Sequence, residues 1–301
     1  MKNGQIWKDV DGNYIQSHGG CIIKQKDVYY WYGEHKGADN CPGTRRVDVI
    51  GVSCYTSTDL GNWKYEGLVL EADKENKDSL LHPSCVLERP KVVYNKKNDN
   101  FVLWFHADSA DRKFAGVGVA VADSPLGPFK MLSFGRPNGH ESRDMTVYID
   151  EDGTGYLFSS SDGNATMLVS RLNEDYTAVD GFCVSTLIDQ YREAPAILKK
   201  NGTYYMISSG CTGWEPNIAL VAESNFIMGK WKLTHDPCIG ENAELTFLGQ
   251  STYIFEEKGT FYLMLDHWHK NDLKTSGYSI LPIEFNGDRL EVVWQDEFNG
   301  I

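Results

Sequence analysis

No stretch of the 301-residue chain stays apolar long enough to cross a bilayer. Its 29 Lys and Arg form no cluster against 42 Asp and Glu, and the formal charge of −13 argues against nucleic acid or an anionic membrane as a partner. The seven cysteines are odd in number and include no Cys-x-x-Cys pair, so the expectation is free thiols and no zinc site. Gly-x-Ser-x-Gly and Gly-rich phosphate loops are missing, which removes the serine-nucleophile elbow and the common nucleotide cradles. No 3.6-residue apolar period is sustained, so little helix is expected. The opening MKNGQIWKDVDG has no signal-peptide core. The expectation is a cytoplasmic protein, although an exported chain with a trimmed signal would begin in the same way.

What the chain does have is repetition. A hairpin unit, made of an apolar strand, a charged turn with Gly, Asp or Asn, and an aromatic-rich strand, occurs at 21–34, 92–108, 147–161, 197–210 and 253–268. Between the copies runs a second pattern of an alternating strand, a polar turn and a short segment usually closed by an aromatic, as in GVSCYTSTDLGNWKYEG. Four strands per repeat, at roughly fifty residues, is the signature of a propeller blade. The expectation is therefore an all-β protein, one five-bladed β-propeller over residues 1–301 with a central pocket. Both ends, IWKDVDGNYIQ and EVVWQDEF, read as strands able to close the ring.

A propeller aims the starts of its innermost strands at one axial mouth. The residues that precede the five hairpins are His18-Gly19-Gly20, Glu88-Arg89-Pro90, Arg143-Asp144, Arg192-Glu193-Ala194-Pro195 and Gly249-Gln250-Ser251. A carboxylate or amide at four equivalent places points to a shared polar pocket. Glycoside hydrolysis needs one protonated carboxyl and one basic group flanking the scissile bond. Glu193, among apolar neighbours, is the candidate acid, because desolvation raises a carboxyl's pKa. Asp144 is its candidate companion, and Arg143 and Arg192 could instead pair with these acids as structural salt bridges. His267 and His269 could bind a metal but read better as surface or pocket-rim residues. Trp214 and Trp268 suit either sugar stacking or blade packing.

The ordered set HGG with YYWYGE, LERPKV, SRDMTVYID, YREAPA, SSGCTGWEPN and LGQSTY, spread from residue 18 to residue 252, resembles glycoside hydrolase family 43, and within it the exo-β-1,3-galactanase branch. The resemblance implies Glu193 as general acid and Asp144 as the carboxylate that tunes and orients it. It implies Glu88 as a pocket carboxylate and Gln250 as an amide standing where water must be activated. Glu34, His18, His106, Thr212, Trp214, Asn217 and Asp266 fall on expected substrate-binding positions. It further implies an inverting, exo-acting enzyme on an oligo- or polysaccharide, a monomer without cofactor, although some relatives hold an ion on the propeller axis that His18 or His267 could line. Most members carry a general-base Asp on the first blade; here Gln16-Ser17-His18-Gly19-Gly20 holds no carboxylate. Glu88 and Gln250 are rivals for the base, and an arabinofuranosidase, a xylosidase or a non-catalytic sugar-binding propeller stand as alternatives.

Overall fold

Val, Ile, Tyr, Phe and Trp populate the apolar runs, and Gly, Asn and Asp punctuate them, so the chain folds back on itself in successive antiparallel hairpins. The computed structural model describes residues 1–44 and 46–301. Blade I is β1 (His18–Gln25), β2 (Val28–Glu34), β3 (Gly51–Ser57) and β4 (Lys64–Glu71). Blade II is β5 (Val86–Asn95), β6 (Asn100–Asp108), β7 (Gly116–Ala122) and β8 (Lys130–Gly135). Blade III is β9 (Met145–Ile149), β10 (Gly155–Ser161), β11 (Thr166–Leu172) and β12 (Val179–Thr186). Blade IV is β13 (Arg192–Lys200), β14 (Thr203–Gly210), β15 (Leu220–Ser224) and β16 (Lys232–His235). Blade V is β18 (Gln250–Glu257), β19 (Thr260–His267), β20 (Gly277–Asn286) and β21 (Arg289–Val293), with the two-residue β17 (Cys238–Ile239) parallel to β21 on its outer edge. The protein is a five-bladed β-propeller, each sheet an in-order meander from the axis outward.

Apolar faces of adjacent blades pack against each other. Trp31 and Trp63 of blade I meet Trp7 and Tyr278, and Trp31, Trp63 and Trp104 are all but fully buried. Trp104 donates its indole N–H to the Tyr176 carbonyl at 2.7 Å, which satisfies the polar end of a core aromatic.

Ring closure differs from the expectation. EVV enters β21, but the N-terminal segment adds no strand to any blade. It makes isolated bridges, Lys2 to Glu297 and Gln5 to Tyr278, and lies across the seam between blades V and I. Trp7, Ile15 and the Met1 ammonium, which donates to the Phe298 carbonyl at 2.7 Å, anchor it there. Its Asp-Gly and Gly-Asn turns break the run before a ladder can form.

The innermost strands also begin earlier than the sequence pattern suggests. His18, Glu88, Glu193 and Gln250 are strand residues, not turn residues before a strand. Bulges explain the difference. The register shifts between His18 and Cys21, Glu88 and Lys91, Glu193 and Ala196, and Ser251 and Tyr253. A bulge breaks the two-residue alternation by which a strand is read, and re-aims the side chain beside it.

Candidate active site

At three of these bulges the residue after the functional side chain is left-handed: Gly19 (φ 57°), Arg89 (φ 55°) and Ala194 (φ 54°). His18, Glu88 and Glu193 thus share one backbone device, a bulge with a left-handed residue after the side chain. At Gly19 only glycine serves, since a Cβ would stand 2.2 Å from Glu34 Oε1. Arg89 and Ala194 hold a conformation unfavourable to side-chain-bearing residues, of the kind found where function over-determines the backbone.

A cavity of about 410 Å³ opens at this end of the axis, lined by Glu34, Glu88, His106, Asp144, Glu193, Gln250, Trp214 and Trp268, together with Arg89, Arg112, Arg143, Asn164 and Gly213. Its floor is one network. The Arg89 guanidinium donates to Gln250 Oε1 at 2.6 Å and meets Asp144 Oδ2 at 3.0 Å. The same group donates to the Ser251 carbonyl at 2.9 Å. Gln250 Nε2 donates to Glu193 Oε1 at 3.1 Å and to Ser209 Oγ at 2.9 Å, while Trp268 Nε1 donates to Gln250 Oε1 at 3.0 Å. Both hydrogens and both lone pairs of the Gln250 amide are therefore engaged.

The carboxyls divide. Burial, then the charge of Asp144, pushes Glu193 up to about 8, against the smaller opposing pull of Arg89, Cys211 and Gln250. Burial also raises Glu88, but Arg112, Lys36, His106 and Arg89 together outweigh it and hold Glu88 below the ordinary glutamate range. Burial raises Glu34, whose oxygens take the Arg89 backbone N–H at 2.8 Å and the Lys36 ammonium at 2.6 Å. At neutral pH Glu193 thus keeps its proton while Glu88 is ionised, the division that separates an acid from a base.

Four expected site residues lie elsewhere. His18 and Asp266 are buried beneath the floor, not in the cavity wall: Asp266 takes the His18 ring at 3.1 Å and the Gly19 N–H at 3.0 Å, and Tyr278 caps the other ring nitrogen at 2.9 Å. Both ring nitrogens of His18 are thereby engaged. Thr212 and Asn217 do not line the cavity either. Asn217 closes a loop by bonding the Gly210 N–H and carbonyl and Thr212 Oγ1, and that loop carries Gly213 and Trp214 to the rim. Arg143 pairs with Asp108 and Glu141, and Arg192 donates to the Ser208 and Ile218 carbonyls, so neither neutralises Asp144 or Glu193. His267 is buried against Ser279 Oγ at 2.7 Å, not on the surface or rim. Trp214 and Trp268 both face the cavity, edge to face at 5.2 Å. Among the described residues no cluster of three His, Cys, Asp or Glu forms a metal cage.

Sequence reasoning missed the cations. Arg89, between Glu88 and Pro90 in a motif already singled out, is the hub of the floor, and Lys36 and Arg112 set the charge of Glu34 and Glu88. Asn164, at a hairpin tip, turns a buried unpartnered Oδ1 into the same wall.

Comparison with known proteins agrees with this architecture. A β-1,3-galactosidase solved with galactodeoxynojirimycin superposes with a TM-score of 0.94 at 36% identity, covering 99% of this chain and 100% of that one. An exo-β-1,3-galactanase from Phanerochaete chrysosporium, solved with β-1,3-galactotriose, gives 0.90 at 32% identity, covering 98% and 67%. An arabinoxylan arabinofuranohydrolase from Paenibacillus polymyxa is 30% identical over 210 residues, 61% of this chain and 32% of its own length. The chain spans between about a third and half of the length of the curated relatives it matches. The family profile "Glycosyl hydrolases family 43" matches residues 18–290, and the chain belongs to that family.

Proposed function

We propose that the chain is an exo-acting glycosidase that removes galactose from β-1,3-linked galactan, with inversion. The observation that carries the reading is Glu193, held protonated near neutrality by burial and Asp144 and braced by Gln250 in a cavity of about 410 Å³. Glu193 gives its proton to the departing oxygen. Glu88, the ionised carboxyl, takes the proton of the attacking water, while Gln250, expected to hold that water, has its amide fully engaged by Arg89, Trp268, Ser209 and Glu193 and braces the acid instead. Glu34, His106 and Trp268 meet sugar hydroxyls and ring faces, while His18 and Asp266 fix the floor. The galactose assignment is supported by two solved relatives, a β-1,3-galactosidase and an exo-β-1,3-galactanase.

Turnover of β-1,3-galactobiose, compared with aryl arabinoside and aryl xyloside, tests the substrate. Preference for either pentoside replaces galactose with the sugar named for the curated relatives, an arabinofuranohydrolase and a xylosidase. The anomer released, followed by NMR, tests inversion.

Asp144→Asn separates tuning from binding. Removing the charge that helps raise Glu193 lowers that pKa, so the alkaline limb of kcat/KM moves to lower pH. Turnover at pH 7 should fall roughly 10²-fold, because the acid is then more ionised and less well held. An unchanged alkaline limb would remove Asp144 from this role.

A further inference from the structure

Beneath the catalytic floor lies a lysine that no step above uses. Lys91 is fully buried. Its ammonium points at backbone carbonyls: Gly19 O at 2.6 Å, Arg89 O at 3.3 Å and Pro90 O at 3.4 Å. Gly19 and Arg89 are the left-handed residues of the bulges on β1 and β5. The N–H groups of the same two residues donate to buried carboxylates, Gly19 to Asp266 at 3.0 Å and Arg89 to Glu34 at 2.8 Å. Each left-handed residue is therefore gripped at both ends, by an anion on its N–H and by one shared cation on its carbonyl.

We propose that Lys91 is a positioning residue: it locks the β1 and β5 bulges together and so presents the Arg89 guanidinium to Asp144 and Gln250. The inference rests on the glycosidase reading only for its kinetic test. A charge-assisted bond from one ammonium to carbonyls of two strands ties those strands more strongly than neutral contacts do. The Arg89 side chain is the part of the floor that touches both the tuning carboxylate and the amide. A shift of about half an ångström there is enough to spoil a preorganised constellation.

Protonation supplies the signature. Burial, aided by the charge of Arg89 on β5, pulls Lys91 down to about 8; Cys21 of β1, Glu34 of β2 and Asp266 of β19 pull the other way. Loss of the ammonium above that pH should disable the site together with ionisation of Glu193. Log kcat/KM of the wild-type protein should then fall with a slope near −2 at high pH, two protons being lost. In Lys91→Met, which keeps length and loses charge, the slope should be near −1. Its kcat should be about 10²-fold lower, with KM changed by less than about threefold, since the lost group acts through Arg89 rather than on the sugar. A wild-type slope of −1 overturns the proposal, and so does a Lys91→Met variant with normal kcat. Lys91→Gln replaces Met if the latter does not fold, and the wild-type slope needs no variant at all. A wild-type chain inert on every glycoside tested ends the glycosidase reading. Lys91 is then judged by a crystal structure of the variant: withdrawal of the Arg89 guanidinium from Asp144 by more than about 0.5 Å supports positioning, and an unmoved guanidinium rejects it.

Discussion

Glu193→Gln should lose about 10³-fold in turnover of β-1,3-galactobiose, within the range a positioned acid contributes. The loss should shrink sharply with a dinitrophenyl galactoside, whose departing oxygen needs no proton. That contrast distinguishes an acid from a residue that merely binds sugar, because a binding defect would follow both substrates. In the wild-type protein kcat/KM should decline above about pH 8 as Glu193 ionises, and the acid limb should lie below the ordinary glutamate range because Glu88 is held ionised. On stability the substitution has the opposite effect. The folded pKa of Glu193 lies above its unfolded value, so the folded form prefers the proton, and this contribution, full below the unfolded pKa, is lost as pH rises through about 8. Glutamine cannot ionise. The variant should therefore melt higher than wild type at pH 9 and differ little at pH 4. An inactive enzyme that is more stable in alkali is hard to obtain by damage to the fold, which makes the melting curves a control for the kinetics.

The blades were legible in the sequence because each hairpin carries its own turn chemistry and its own aromatic strand, as at Asn201-Gly202 between β13 and β14. The starts of the inner strands were not legible. Gly19, Arg89 and Ala194 interrupt the alternation at the places where function sits, so a periodicity reading begins these strands three to six residues late. The acids could be named because a carboxylate recurs at equivalent positions. The division of labour among them could not, since it depends on cations that only the fold brings near: Arg112 from the β6–β7 loop and Lys36 from the loop after β2 act on Glu88 of β5. His18 and Asp266 show the converse limit. Both belong to stretches that bear on the site, but a motif does not report depth, and the two side chains spend their polar atoms on each other and on Gly19 and Tyr278.

Arg89→Met should be the most damaging single change in the floor. The side chain is 5% exposed and bonds Gln250, Ser251 and Thr252 while pairing with Asp144. Its removal leaves buried acceptors unpaired and an anionic cluster uncompensated, a situation that costs about 3–5 kcal/mol. For a chain of this size that is a fall in melting temperature on the order of 10 °C. Lysine should not rescue it, since one ammonium cannot serve a carboxylate, an amide oxygen and a carbonyl in the fork geometry that a guanidinium supplies. The kinetic signature opposes that of Asp144→Asn. Arg89 pulls the Glu193 pKa down, so its loss leaves Glu193 protonated to still higher pH, and the alkaline limb of the residual activity should move up rather than down. Paired shifts of opposite sign from two residues in contact at 3.0 Å would establish that both act on the proton of Glu193. Shifts in the same direction, or none, would mean that the floor holds the sugar and leaves the acid alone.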